Sequence, residues 1–466
     1  MSETKKTLVN AMNGKASRRS VLKAAAAVGV AAPFAAGMLQ GGIQSAAAGE
    51  DGLAALDLSG LNLSKDYDGQ EISVILGADG PAVAWEEALV AKFTEATGIK
   101  VNVVRGPESA TERLAQYQQL LGAQATDVDA MMIDVIWPGI LAPHALDLTA
   151  AMDANGQYFE RIVANNTVDG TLVGIPWYTD AGLLYWRSDL VEKYGLGQPE
   201  TWADLEAAAK TIMEGERAEN PDFQGFVWQG AAYEGLTCDA LEWQVSNGGG
   251  HIIEPDGTVS INNPSAIDAF NRAKSWVGTI SPEGVTTYKE EDARGVWQDG
   301  NAAFMRNWPY AWSLAQADDS VIKGKVGVGL LPKGDGPDAQ NAATLGGWQM
   351  MASKYSEHPE AAIEFCRFLT SEPVQRAHAI DWSRLPTIEA LYDDAAVLEA
   401  QPFFGELKPV FLGGAVPRPS TVSADLYNDV STAYFTAVNE IITGQADAAE
   451  RVAALETELK DIMAEL

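Results

Sequence analysis

The 466-residue sequence contains few of the residues on which enzymatic catalysis most often depends. It has two cysteines and four histidines. Because His144, His251, His358 and His378 are far apart along the chain, none has the spacing of a zinc-binding motif. A P-loop, a G-x-S-x-G turn and a strand followed by G-x-G-x-x-G are also missing. These absences predict a protein that is not an enzyme and that needs no metal or cofactor.

Positive charge is also scarce. The chain has 32 Lys and Arg against 64 Asp and Glu, which gives a formal net charge of −32. Residues 1–48 contain six basic residues and one acidic residue, so the net charge without them is −37. Because such an acidic surface repels nucleic acid and anionic lipid, we expect no nucleic-acid partner.

The one long apolar stretch lies near the N-terminus, roughly over residues 24–39. It follows Arg18 and Arg19 and precedes Ala46-Ala47-Ala48, an A-x-A cleavage pattern. This order resembles a twin-arginine signal peptide and predicts that residues 1–48 are removed on export to a bacterial periplasm. No cysteine stands near the cleavage pattern, so we expect a soluble mature chain without a lipid anchor.

The two cysteines, Cys238 and Cys366, permit a disulfide in an oxidising periplasm. Each lies in a helix-like apolar pattern, however, which favours two buried free thiols.

Strand and helix patterns alternate in the first part of the chain, after residues 49–67, which read as an ordered arm or a tail. Residues 71–76, 99–104 and 129–137 have the pattern of strands, with helical spacing between them. This alternation indicates an α/β fold. The roughly 418 residues after the signal peptide exceed one comfortable core, so two lobes are expected.

Aromatic residues beside turns are the most informative feature that is present. Trp177, Tyr178 and Asp180 follow a Gly and a Pro at the start of an apolar run, and the chain has 13 Trp. Sugar rings pack their C–H faces on aromatic rings and bond their hydroxyls to carboxylates and guanidinium groups. A rigid polar ligand and a simple strand core explain this stretch about equally well.

Residues 174–190, GIPWYTDAGLLYWRSDL, resemble the segment of family 1 extracellular solute-binding proteins in which the chain first passes between lobes. Three further stretches match family segments in the same order: Phe93 to Val101, residues 297–305 and residues 345–350. The resemblance covers about Asp68 to Leu466. The family includes the carbohydrate receptors of ABC importers, among them trehalose/maltose-binding proteins.

The resemblance implies an α/β, two-lobe periplasmic binding protein fold with discontinuous lobes and a three-segment hinge. The N-terminal lobe would comprise residues 68–177 and 344–381, and the C-terminal lobe residues 182–333 and 387–466. Hinge crossings are expected near Trp177–Gly182, Lys333–Thr344 and Trp382–Thr387.

The resemblance also implies a set of sugar-binding residues in the cleft between the lobes. These are Asp134, Tyr178, Asp180, Trp308, Tyr310, Gly347, Trp348 and Arg418, with Tyr233, Glu234 and Asp79 as weaker assignments. The loop around Asp79 departs from the family pattern. Arg113 fits a solvated helix face better than the cleft, whereas Trp228, Trp243, Trp276 and Trp297 fit core positions.

The function implied is capture of a di- or oligosaccharide and its delivery to ABC permease subunits in the inner membrane. An α-glucoside such as trehalose, maltose or sucrose is favoured, and a monomer is expected. A carbohydrate-active enzyme stays open, since glycosidases and lyases also use aromatic rings and carboxylates. A receptor for a polyamine or another small molecule stays open because of the acidity, although Arg418 would oppose a cation.

Overall fold

The computed structural model describes residues 50–78, 82–153, 158–336, 338–409 and 415–466. The predicted signal peptide, residues 1–48, and the candidate Asp79 lie outside these residues. Within the described ranges, no helix combines the length and apolar composition that a membrane crossing requires.

The strands form one large sheet, one smaller sheet and a short ribbon. In chain order they are β1 Glu71–Leu76, β2 Lys100–Arg105, β3 Ala130–Asp134, β4 Thr167–Val168, β5 Thr171–Leu172, β6 Ile175–Ala181, β7 Leu183–Arg187, β8 Gln224–Val227, β9 Ala302–Asn307, β10 Val326–Leu330, β11 Ala343–Ala352, β12 Leu385–Pro386 and β13 Ala415–Val416.

Helices connect the strands and cover the sheets. In chain order they are α1 Glu50–Ala54, α2 Val83–Thr97, α3 Ala110–Gly122, α4 Pro138–Leu141, α5 Thr149–Asp153, α6 Glu160–Asn166, α7 Ser188–Lys193, α8 Trp202–Glu216, α9 Glu234–Ser246, α10 Pro264–Trp276, α11 Glu290–Gln298, α12 Ala311–Ala315, α13 Pro359–Leu369, α14 Glu372–Trp382, α15 Ala395–Ala400, α16 Phe404–Pro409, α17 Ser420–Ser423, α18 Tyr427–Ile442 and α19 Ala448–Met463.

The large sheet has the order β12-β6-β11-β3-β1-β2, and β13 pairs with the start of β11. β2, β1 and β3 run parallel, whereas β11 is antiparallel to both β3 and β6. Every residue of β3 is buried, as expected of a central parallel strand covered on both faces. The strand–helix alternation predicted for this part of the chain is therefore confirmed.

The smaller sheet has the order β10-β7-β9-β8 and is covered by α8, α9 and α10. Trp228, Trp243 and Trp276 meet edge to face in its core, with ring centroids 5.0 to 6.3 Å apart. These three side chains and Trp297 are buried, so the prediction that all four are core residues is confirmed.

The chain passes between the two sheets at the first two of the three places where the sequence predicted crossings. Gly182 alone separates β6 of the large sheet from β7 of the smaller one. The chain returns between β10 and β11, and β12, in the third predicted crossing, pairs with β6. The predicted residue limits of the two lobes remain a prediction.

The segment that follows the predicted signal peptide is an ordered arm on α14. The buried carboxylate of Asp381, in α14, accepts the backbone N–H groups of Gly52 (2.7 Å) and Leu53 (2.8 Å). It also accepts the indole N–H of Trp85 at 2.7 Å. Several leucines of the arm pack on the core of the large sheet. The arm is thus held on the folded unit by Asp381, by its leucines and by a bond from the Ser64 N–H to the buried Glu364 at 2.7 Å.

Cys238 and Cys366 are both buried and unpaired, which confirms the prediction of two free thiols. Burial raises the pKa of each thiol, so both stay protonated at neutral pH.

Candidate ligand-binding site

A cavity of about 180 Å³ lies between the ends of the two sheets. A buried water molecule needs roughly 10–15 Å³ by this measure, so the cavity is a site rather than a packing defect. Nine of the eleven predicted site residues line it: Asp134, Asp180, Tyr233, Glu234, Trp308, Tyr310, Gly347, Trp348 and Arg418.

Tyr178 is not among the lining residues. Its side chain is buried, and its ring lies edge-on to His378 and 4.7 Å from the guanidinium carbon of Arg384. Arg384 itself lines the cavity. Tyr178 therefore supports a side chain of the cavity wall from behind. The other candidate outside this wall, Asp79, lies beyond the described residues.

Close packing of the neighbouring strand and of the Trp308 ring explains why β11 has glycine at positions 346 and 347. Gly347 has φ +134°, and a Cβ there would lie 2.7 Å from the carbonyl oxygen of Tyr178. A Cβ on Gly346 would lie 3.2 Å from the ring of Trp308 and 3.1 Å from Asp180. Close approach of protein groups thus requires both glycines.

Trp348 presents its indole to the cavity from the centre of the large sheet. Its ring meets Trp137 edge to face at 5.7 Å, and the guanidinium carbon of Arg113 lies 4.6 Å from the ring centroid. The prediction of a solvated position for Arg113 is wrong, because this residue is 1% exposed and lines the cavity. Its Nε and Nη2 donate to the carbonyl of Pro107, while Nη1 is buried without a protein partner.

Two further rings of the wall also stack on guanidinium groups. Arg306 lies 3.9 Å from the ring centroid of Trp308, and Arg384 lies 4.9 Å from that of Tyr310. A cation over an aromatic face contributes about 0.5 to 2 kcal/mol, more when the pair is desolvated. These stacks hold the rings in fixed planes at the cavity wall.

The first residues of α11 are acidic and line the cavity. They were not predicted from the sequence. Glu290 accepts the hydroxyl of Tyr233 at 2.6 Å, and Glu291 accepts that of Tyr310 at 2.6 Å. Burial, followed by the charge of the adjacent glutamate, raises the pKa of both tyrosines. The available signal was Lys289-Glu-Glu-Asp292, an N-terminal helix pattern close before the Asn-Trp-Pro-Tyr stretch.

Arg418 joins acidic residues from both sides of the cavity. It donates to Asp134 at the end of β3 (3.1 Å) and to Glu234 at the start of α9 (2.7 Å). Glu234 also accepts the hydroxyls of Tyr427 and Ser431. Burial raises the pKa of Asp134, Arg418 opposes this rise and Glu234 adds to it. Arg418 is therefore a buried, bonded residue, and a surface salt bridge is excluded.

The described residues contain no cluster of three or more His, Cys, Asp or Glu side chains able to hold a metal ion. The cavity instead offers aromatic faces, carboxylate acceptors and guanidinium donors. This combination can bind a polar, uncharged molecule through many hydrogen bonds.

The sequence profile of the bacterial extracellular solute-binding protein family matches residues 77–376. The chain belongs to this family.

Two similar proteins are informative about this solute-binding protein. A probable ABC transporter-binding protein of Deinococcus radiodurans is 48% identical over 373 residues, which are 79% of this chain and 88% of that one. The structure of maltose-bound T. maritima MalE3 is 42% identical, with a TM-score of 0.79, over 84% of this chain and 99% of that one. A solute-binding protein of Thermotoga lettingae bound to tagatose is 22% identical with a TM-score of 0.74, over 84% and 100%, and shows the fold alone.

These similarities confirm several of the sequence predictions. The fold is the two-lobe α/β architecture of such receptors. The protein is a solute-binding protein of the ABC-transporter type. It belongs to a class of binding proteins that carry out no reaction, so the prediction that it is not an enzyme is confirmed.

Four charged residues of the cavity wall were not predicted from the sequence: Lys289, Arg384, Glu290 and Glu291. Arg384 lies in the predicted crossing 382–387, so the crossing itself was the signal that could have identified it. Lys289 lies 5.7 Å from the ring centroid of Tyr233.

Proposed function

We propose that this solute-binding protein captures an α-linked glucose disaccharide or short oligosaccharide, such as maltose, trehalose or sucrose. The observation that carries the proposal is the meeting of Trp308, Tyr310 and Trp348 in one cavity with carboxylates at its edges. Three rings give contact area for more than one sugar ring, because one aromatic face covers about one pyranose face. The maltose bound to T. maritima MalE3 supports the same ligand class.

In this proposal the carboxylates and guanidinium groups form hydrogen bonds with the sugar hydroxyls. Asp180, on β6, and Asp134, on β3, accept hydroxyl hydrogens. Arg418 and the buried Nη1 of Arg113 donate to hydroxyl or ring oxygens. Buried charge-assisted bonds of this kind each contribute about 1.5–3 kcal/mol. Closure of the lobes over the sugar would exclude water from these bonds.

A smaller ligand is the second candidate, because the T. lettingae structure holds tagatose. A monosaccharide would occupy one aromatic face and leave the remaining rings exposed in the cleft. The number of rings in the wall therefore favours the longer ligand.

A thermal-shift panel tests the proposal. Maltose, trehalose, sucrose and maltotriose are compared with tagatose, mannitol and ribitol at equal concentration. A ligand at 100 times its Kd stabilises the folded protein by about 2.7 kcal/mol. We expect an α-glucoside to give the largest shift. A larger shift with tagatose or a polyol would establish the smaller ligand class, and no shift with any sugar would refute the proposal.

We also propose that residues 1–48 direct twin-arginine export and that the chain acts as a periplasmic monomer without a lipid anchor. Arg18 and Arg19, the apolar stretch and the A-x-A pattern support the first point. Among the described residues only four large apolar side chains are exposed, which leaves little surface for a stable dimer. We place the lobe limits at 68–177 with 344–381 and at 182–333 with 387–466.

A further inference from the structure

A cluster of buried charged side chains lies behind the cavity wall and does not line the cavity. Arg306 is 1% exposed, and Asp239 and Glu242 are fully buried. Glu242 accepts from Nε and Nη2 of Arg306 at 2.8 and 2.6 Å, and Asp239 lies 3.0 Å from Nε. Moving a charged group out of water costs several kcal/mol per ion. Charged side chains are therefore stable in the interior only when they are paired. The cluster holds two carboxylates for one guanidinium.

Glu242 contacts both of the first two crossing segments. Its Oε1 accepts the backbone N–H of Thr344, at the start of β11, at 3.0 Å. A Cβ on Gly182, between β6 and β7, would lie 2.0 Å from the same oxygen. Residue 182 is therefore restricted to glycine, and one carboxylate oxygen touches the chain where it leaves and where it re-enters the large sheet.

Arg306 contacts both Glu242 and a ring of the cavity wall. Its guanidinium edge is fixed by Glu242, Asp239 and the Oε1 of Gln229, which lies 3.1 Å from Nη1. Its face remains for stacking and lies 3.9 Å from the ring centroid of Trp308. Gly346, also on β11, leaves room for this indole, because a Cβ there would lie 3.2 Å from its ring.

We propose that Glu242 and Arg306 are positioning residues that couple the crossing strands to Trp308. Bending at Gly182 and Thr344 displaces Glu242, and the fixed guanidinium then turns the indole into or out of the cavity. Neither residue contacts the ligand. The coupling deepens the proposed function and rests on it, since Trp308 is there a sugar-contacting ring.

Two substitutions separate positioning from simple folding. Glu242→Gln keeps the size of the side chain and leaves Arg306 with one carboxylate, Asp239, so no buried charge is left unpaired. Arg306→Lys keeps the charge but loses the planar fork and the flat stacking face. Glu440→Gln is the matched control, because Glu440 pairs with Arg451 in α18 and α19, away from the cavity.

The binding test titrates each variant with maltose by calorimetry. We expect Glu242→Gln and Arg306→Lys to raise the Kd by about tenfold, the scale of one lost cation–π contact and its alignment. Glu440→Gln should leave the Kd unchanged. In a Trp308→Ala background, Arg306→Lys should have no further effect, because the two side chains act as a unit. Equal effects of Arg306→Lys with and without Trp308 would overturn the coupling.

A ligand-free measurement decides the coupling independently of the sugar. The near-UV circular dichroism of Trp308 is obtained as the difference between each variant and the same variant with Trp308→Phe. We expect this signal to change in Glu242→Gln and Arg306→Lys and to persist in Glu440→Gln. An unchanged signal in both would refute the positioning role. If no sugar binds the unaltered protein, the proposed function fails while this measurement still decides the coupling.

Discussion

Replacement of Trp348 by alanine tests the central ring of the candidate site. The indole stands on the middle strand of the large sheet and lines the cavity. Removing it deletes the apolar area that a sugar ring would cover and the aromatic contact itself. Together these losses are about 2–4 kcal/mol of binding free energy. The Kd should therefore rise by about 30- to 1,000-fold.

The same substitution also affects the ligand-free protein, because the Trp348 ring contacts a guanidinium group and a second indole. The stack with Arg113 contributes about 0.5–2 kcal/mol, and the edge-to-face contact with Trp137 about 0.5–1.5 kcal/mol. These contacts predict a loss of about 1–3.5 kcal/mol in the free energy of unfolding.

Calorimetry with the sugar that stabilises the protein most gives the Kd, and urea unfolding without sugar gives the stability. Trp312→Ala is the matched control, since Trp312 is partly buried, packs on one ring, Phe403, and is not among the lining residues. This control should lose stability and keep its affinity. If Trp348→Ala loses stability but keeps its sugar affinity, Trp348 is a packing residue and its assignment to the site is wrong.

Three other substitutions test separate parts of the description. Asp180→Ala should raise the Kd for the same sugar at least about tenfold by removing a buried acceptor, and an unchanged Kd would limit Asp180 to a structural role. Asp381→Ala should lower the free energy of unfolding by several kcal/mol with the Kd unchanged, because three donors, including Gly52 N–H, lose their acceptor. Changing Arg18 and Arg19 together to Lys should leave the precursor in the cytoplasm by cell fractionation, and normal delivery would remove the export assignment.

The fold was predictable because its signals are local and repeated. β1 begins and ends where the alternating pattern Glu71–Leu76 does, and α2 ends at Gly98, whose φ is +79°. Thr201 caps α8 reciprocally with Asp204, as their spacing indicates. Each of these features is decided by residues within one turn or one strand. The first crossing was also predictable, since the stretch around Gly182 resembles a family segment.

The candidate site was predictable only where a residue is marked by its neighbours in sequence. Trp308 stands beside Pro309 and Trp348 beside Gly347, so both could be tested against the family, although Trp348 lies within β11 and not in a turn. No neighbouring residue identifies Arg113. Its helix also presents polar residues to solvent, so the sequence pattern does not separate a buried Arg from an exposed one. What places Arg113 in the cavity is its stack on Trp348, a residue 235 positions away in the chain.

The ion cluster behind Trp308 was also not predictable from neighbouring residues in the sequence. Asp239 and Glu242 stand on α9, where an acidic residue ordinarily indicates a solvated face, yet every residue of that helix is buried. Their pairing with Arg306 depends on α9 lying against β9, and no local pattern encodes that contact. Gly182 is the sequence feature that reflects this contact, because a carboxylate oxygen of Glu242 occupies the position that a side chain at residue 182 would take. In this protein the glycine between β6 and β7 leaves the space that the buried carboxylate of Glu242 occupies.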